Sequence, residues 1–441
     1  MNYATTMLEW WAMYKRHLKR AKRHYFSPRK LRLRVAFWGG ALMIGVTAAA
    51  FAMLSSFSDK HFYQLYTNQP WIAYALPPFG LALIAWLTRN FFNGSEGSGI
   101  PQAIAALEMR QQSLVDKVLS LKVAGGKIVL TSLGLLCGAS IGREGPTVHI
   151  ATSIMYSLRH VALFRGRDMT RSLILAGGAA GIAAAFNTPL AGIMFAIEEM
   201  GRTFDKRTSG TLVVSVVVAG LVALVILGDY TYFGKSSATL PLSTAWLAVL
   251  ICGVGGGLLG GLFSTSLVQG MRLLAPLATR HPVSLAFVCG LLITLFGFSS
   301  DGQTFGTGYE AARHLIDGGQ PSLAFPFLKM LATTASYLSG IPGGIFAPSL
   351  SVGAGLGANL ALLMPDSPAS AIIILGMVGY FSGVVQTPIT AFIIVMEMNA
   401  DPSMLFPLMA TSLIAKGASH LVCPVPIYEA LAQAYLAKTR A

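Results

Sequence analysis

Charge is scarce in this chain. Only 11% of its 441 residues are Asp, Glu, Lys or Arg, and 54% are hydrophobic; soluble domains carry about 25% charged residues. That balance excludes the string of soluble domains that the length alone would allow and implies one polytopic membrane domain. Cysteine is nearly absent. The four (Cys137, Cys252, Cys289 and Cys423) are scattered in or beside apolar runs, with no Cys-x-x-Cys pair. They argue against a disulfide framework or a thiolate metal site and read as small buried hydrophobes. Histidine is thin as well: of eight, only His149 sits well inside an apolar segment. A metal-dependent intramembrane protease built on Glu198 and Glu199 would need facing histidines to complete its site. We therefore expect no enzyme, no metal and no cofactor.

What the chain does have is apolar length. Runs near the ~20 residues needed to span a bilayer recur, at 35–53, 71–86, 212–227, 246–267 and 283–298. Others, such as 371–381, are too short to span alone. Short apolar pieces punctuated by Gly and Pro predict helices that enter and stop, which are tolerated only inside protein or along an aqueous cavity. Six glycines within 253–261 favour close helix packing. Polar loops are expected at 55–70 and 299–322, and a short amphipathic piece at 423–441.

The charge present is lopsided. Residues 1–34 hold ten Lys/Arg and one acid, Glu9, so this arm carries +9 of the net +14. It directly precedes the first apolar run. The positive-inside rule then places the N-terminus in the cytoplasm, with the arm resting on anionic headgroups rather than on nucleic acid. The basic stretch is too long, and the small-residue cleavage site too ill-defined, for a cleavable signal. The expected organisation is a basic arm (1–34), a membrane domain (35–435) with repeat halves at about 71–210 and 245–421, and a short tail (436–441). No regulatory domain is expected at either end.

One cassette occurs twice. Gly142-Arg143-Glu144-Gly145-Pro146-Thr147 aligns with Gly344-Ile345-Phe346-Ala347-Pro348-Ser349, 202 residues on. Asn187-Thr188-Pro189-Leu190 aligns with Gln386-Thr387-Pro388-Ile389, and Glu198 with Glu397, at an offset of 199. Gly177 to Pro189 and Gly376 to Pro388 extend the likeness through shared small residues. Chance similarity of Gly/Ala-rich helices competes with duplication, but the shared features recur in one order. Broken helices at matching places in two halves point to a transport site.

Six of the 18 acids lie in or beside membrane stretches: Glu96, Glu108, Glu144, Glu198, Glu199 and Glu397. A carboxylate there is costly and is a functional candidate by default. Glu144 falls at an expected helix N-terminus, whose free N–H groups form a ready anion site. A carboxylate can occupy that site itself and lose its attraction once protonated, so it can exchange places with an anion. Capping the helix or pairing with Arg143 is the structural alternative. Gly344 to Pro348 offers the same backbone with no carboxylate, through the N–H groups of Ile345 and Phe346. Gly97-Ser98-Gly99-Ile100-Pro101 is a third such turn, with a hydroxyl at Ser98. No Lys/Arg cluster accompanies them, which suits a weakly held monovalent anion better than phosphate. Glu198 and Glu199 point about 100° apart on a helix. One can relay protons while the other pairs with Arg202 or faces solvent; both can also be plain interfacial caps. His149 reads as a packed helix residue and Lys127 as a snorkelling or paired one.

The three turns resemble the signature motifs of the CLC chloride channels and transporters, over residues 35–435 and including Ala184 to Gly192. The resemblance implies an all-α polytopic membrane protein with two inverted repeats and re-entrant helices. It also implies a homodimer in which each subunit has its own ion pathway. By position, Glu144 is similar to the family's gating glutamate and Glu199 to the internal proton-transfer glutamate of its antiporters. Ser98 and Tyr428 match the side chains that coordinate the central chloride, with the N–H groups of Ile345 and Phe346. Gly99, Arg143 and Glu144 complete the expected chloride-binding set. Ser98 is the chloride-type residue, where nitrate-preferring relatives carry proline. Gln102 and Ile104 stand where bacterial relatives often have acids, and Thr188 replaces a common alanine. The expected function is exchange of chloride for protons in a bacterial inner membrane, with lipid and a second copy as partners. The alternative is a passive voltage- or pH-gated chloride channel of the same fold.

Overall fold

The structure, a computed structural model, describes residues 28–160, 166–201, 209–228, 245–320, 322–399 and 402–440, with 11, 13–15 and 240. Most of the basic arm and Arg202 lie outside these residues. The first half comprises α1 (Pro28–Asn68), α2 (Pro70–Asn90), α3 (Ile100–Glu108), α4 (Gln112–Val118), α5 (Leu121–Leu136), α6 (Glu144–Ser157), α7 (Arg167–Phe186), α8 (Pro189–Phe195) and α9 (Ser209–Leu227). The second comprises α10 (Ala245–Arg280), α11 (Pro282–Ser299), α12 (Tyr309–Ile316), α13 (Phe325–Leu338), α14 (Phe346–Ala361), α15 (Ala369–Val385), α16 (Pro388–Asn399), α17 (Leu405–Val422) and α18 (Ile427–Arg440). Among the described residues there is no strand, only two isolated bridges between loops.

Among the described residues, eight helical segments are long and apolar enough to cross a bilayer, and all five apolar runs of the sequence fall inside them. The short helices match the expectation of segments that enter and stop: α3 has 9 residues, α8 has 7 and α16 has 12.

Two expected loops are structured otherwise. Residues 55–68 continue α1 as one helix of 41 residues, roughly 60 Å long at ~1.5 Å per residue. The polar turns stay helical because they have partners. Phe62 meets the Phe305 ring edge-on at 4.9 Å, and the Tyr63 hydroxyl donates to the Phe305 carbonyl at 3.0 Å. Pro70 then opens α2 at a position where a missing N–H is harmless. The second expected loop, 299–322, contains α12.

The duplication is visible in the backbone. Arg143 and Ile345, which precede α6 and α14, both sit in the right-handed region (φ −96° and −110°). Asn187 and Gln386, which close α7 and α15, are both left-handed at φ 58°. Within each half the motif helix packs on its neighbour, α6 on α7 and α14 on α15. Small residues permit this: a Cβ at Gly177 would lie 2.7 Å from the Thr152 Cα, and one at Gly357 would lie 2.6 Å from the Ile373 Cα. The Gly-rich stretch of α10 approaches α15 as expected, since a Cβ at Gly256 would lie 2.6 Å from the Tyr380 nitrogen.

The halves are inverted and meet through reciprocal contacts. Gly142 and Gly344, repeat mates, exchange both backbone hydrogen bonds at 2.7 Å. Glu198 accepts from the N–H groups of Ile389 and Thr390 at the start of α16. Its mate Glu397 accepts from Leu190 and Ala191 at the start of α8. A contact made in both directions between mates is what a local two-fold axis produces.

Candidate functional site

Two buried lysines shape the loops around the centre. Lys127 of α5 neither snorkels nor pairs with an acid. Its Nζ donates to the Gly97 carbonyl at 2.9 Å and lies 3.5 Å from that of Glu96. Lys329 of α13, 202 residues on, donates to the carbonyls of Thr304 and Gly306 at 3.0 and 2.8 Å. A buried ammonium is tolerated only when such acceptors surround it. By drawing carbonyls toward itself, each lysine fixes the loop from which the next helix starts. After Lys127's loop, Gly99 sits at φ 97° and opens α3; after Lys329's loop, Gly308 sits at φ 83° and opens α12. Both glycines use a left-handed conformation that other residues resist.

Between these loops, α6 and α14 begin face to face, joined by the Gly142–Gly344 bridge. Their first N–H groups have no intrahelical acceptor. Around this point lies a set of buried polar atoms with no hydrogen-bond partner beyond one another: the Ser98 and Tyr428 hydroxyls, which face each other, and Glu144 Oε2. Buried polar groups are nearly always satisfied, so such a set in one place calls for an explanation. Ser98 packs against the Gly145 backbone and lies beside Tyr428. The Tyr428 ring is 5.8 Å from that of Phe346, which also meets Phe381 at 4.9 Å and Phe186 at 5.9 Å. The charges of both Glu144 and Glu199 reach the Tyr428 phenol.

Glu144 is fully buried. Its Oε2 is set against Gly142, and its Oε1 accepts a hydrogen bond from the Tyr309 hydroxyl at 2.6 Å. Arg143 and Tyr309 line a cavity of about 1070 Å³ that reaches Asp59 and Lys60 near the C-terminal end of α1. Glu144 thus sits one side chain below the floor of that cavity.

Glu199 is 5% exposed and lies in a π-helical turn, Ala196–Gly201, that follows α8. Such turns are frequent at functional sites. Glu198, its neighbour, is taken up by the cap on α16. His149 is packed as expected: Nε2 is 3.0 Å from the Val118 carbonyl, and the ring fills the space beside Gly99.

The structure therefore gathers Ser98, Gly99, Glu144, Ile345, Phe346 and Tyr428 about one point. Arg143 lies toward the cavity and Glu199 stands apart. Sequence reasoning missed Tyr309. The signal was present, since Gly306-Thr307-Gly308-Tyr309 repeats Gly97-Ser98-Gly99-Ile100 at an offset of 209, but it falls in a stretch read as a polar loop.

The family described as voltage gated chloride channel matches residues 79–420. The fold is similar to that of a slow cyanobacterial Cl−/H+ antiporter at 26% identity and TM-score 0.78, over 92% of this chain and 98% of that one. It is similar to a eukaryotic CLC transporter at 20% identity and TM-score 0.78, over 92% and 75%. A CLC-type fluoride/proton antiporter matches at 22% identity and TM-score 0.74, over 90% and 98%. Together with the inverted halves and their paired broken helices, these likenesses place the chain: it belongs to the voltage-gated chloride channel family, the CLC proteins.

Proposed function

We propose that this protein exchanges chloride for protons across a bacterial inner membrane. The observation that carries the reading is Glu144, a buried carboxylate at the shared start of two helices, where backbone N–H groups favour an anion. The carboxylate and a chloride ion compete for those donors. Protonation removes the carboxylate's claim, and the anion takes its place. Ser98, Tyr428 and the N–H groups of Ile345 and Phe346 supply neutral donors to a partly dehydrated chloride, with Gly99 and Arg143 beside them. Glu199, away from this point but within electrostatic reach of Tyr428, passes protons from the opposite face. The likeness to a Cl−/H+ antiporter supports the same assignment.

The N-terminus is assigned to the cytoplasm by its basic arm, which puts the cavity above Glu144 on the outer face. A second copy is assigned by the family resemblance, and the mass of the purified protein in detergent checks it. The competing reading is a passive chloride channel of this fold. Purified protein in proteoliposomes decides between them. A chloride gradient is expected to drive protons uphill; chloride flux without proton movement would establish the channel instead.

A further inference from the structure

The cavity floor holds an asymmetry between the halves. Glu144 of α6 and Tyr309 of α12 are in contact, while their repeat mates, Phe346 and Ile100, are both apolar and buried in one core cluster. The duplicated scaffold thus carries a carboxylate with a phenol opposite it at one position and two hydrocarbons at the mate. Within the loop, the hydroxyls also differ in use. Ser98 faces the Tyr428 hydroxyl at the centre, whereas its counterpart Thr307 donates to Asp59 Oδ2 at 3.0 Å. What the second loop offers the centre is therefore the residue after Gly308.

We propose that Tyr309 is a positioning residue that latches Glu144 in the anion path and resists its release. This rests on the role assigned to Glu144 above. The phenol donates to Oε1 of the ionised carboxylate. A hydrogen bond to a carboxylate is among the stronger ones, and it must break before Glu144 leaves the anion path. The ring stands between Glu144 and the cavity, so protonation from that side proceeds past Tyr309.

Other groups around Glu144 are fixed in other duties or lie farther out. Arg143 is on its own helix cap, Tyr428 on α18 is within electrostatic reach, and Glu310 follows Tyr309 on α12. Asp59 and Lys60 of α1 and Arg313 and His314 of α12 line the cavity. Lys127 of α5 is held by loop carbonyls. The ionisable residues of α7 (Arg167, Asp168 and Arg171) line a different cavity, Glu108 closes α3 beside that cavity, and α14 has none.

The test is chloride turnover against pH in proteoliposomes for wild type, Y309F, E144A and Y309F/E144A. Removing the donor loosens the hold on Glu144 and eases its release. Y309F is expected to reach half-maximal turnover about one pH unit higher than wild type, from the strength of a charge-assisted hydrogen bond. E144A is expected to be flat with pH, and the double variant to match it. A Y309F profile superimposed on wild type, with E144A flat, overturns the latch and leaves the role of Glu144 standing. An E144A profile that keeps the wild-type pH dependence overturns the role of Glu144 and the latch with it. Tyr309 replaced by 3-fluorotyrosine keeps the packing and strengthens the donor, so its midpoint is expected to move down. A shift upward or no shift in that variant also overturns the proposal.

Discussion

Glu144 and Glu199 are separated by what surrounds them rather than by residue type. Glu144 lies at a helix start with a phenol on one oxygen. Glu199 lies in a π-helical turn with its neighbour Glu198 engaged elsewhere. Replacing Glu199 with Gln keeps shape and removes the titratable proton. E199Q is expected to stop proton movement while chloride flux continues at a comparable rate; undiminished uphill proton transport in reconstituted E199Q would remove it from the path. Both glutamates were legible in the sequence because a carboxylate among apolar residues is costly and stands out. Tyr309 was not, because a tyrosine in a polar stretch is ordinary until the carboxylate it touches, 165 residues away in the chain, is known. For Lys127 the sequence left snorkelling and pairing both open; the structure pairs it with the carbonyls of a distant loop, which composition could not name.

At the level of elements, the short helices α8 and α16 are held at their starts by acids from the other half. Each carboxylate satisfies two N–H groups that a helix leaves open and sits favourably in its dipole. Glu198 also accepts from the Thr390 hydroxyl at 2.9 Å. Loss of a cap costs about 0.5–2 kcal/mol, so E198A and E397A are each expected to lower thermal stability in detergent by an amount in that range. Proton coupling in E198A is expected to persist, since the carboxylate serves the helix; its loss would return Glu198 to the proton path. The sequence located five of the long apolar helices through their apolar runs and the starts of α3, α6 and α14 through their Gly/Pro turns. It failed at 55–68 and 309–316, where polar residues fold into helix because they wall one cavity and each meets the other half. Local propensity is a weak prior that tertiary contact overrides.

For the whole molecule, the inverted repeat makes a strong prediction: mates should behave alike. Lys127 and Lys329 each satisfy carbonyls of a motif loop from full burial. Removing either ammonium leaves those carbonyls bare, at a cost of roughly 2 kcal/mol or more. K127M and K329M are therefore expected to destabilise to a similar degree, read as unfolding midpoints in detergent. A neutral effect at one and a large one at the other would mean that the two loops are held differently. The sequence by itself determined a great deal: a membrane protein by its apolar length and sparse charge, a duplication by its recurring cassettes, and candidate anion turns by glycines and prolines ahead of helices. These are local or periodic properties, readable along the chain. Only the tertiary structure decided how the halves sit, which acid caps which helix, and that Tyr309 meets Glu144. Those depend on a two-fold packing that joins residues some 200 positions apart, and no local pattern encodes which side chains such a packing brings within hydrogen-bond distance.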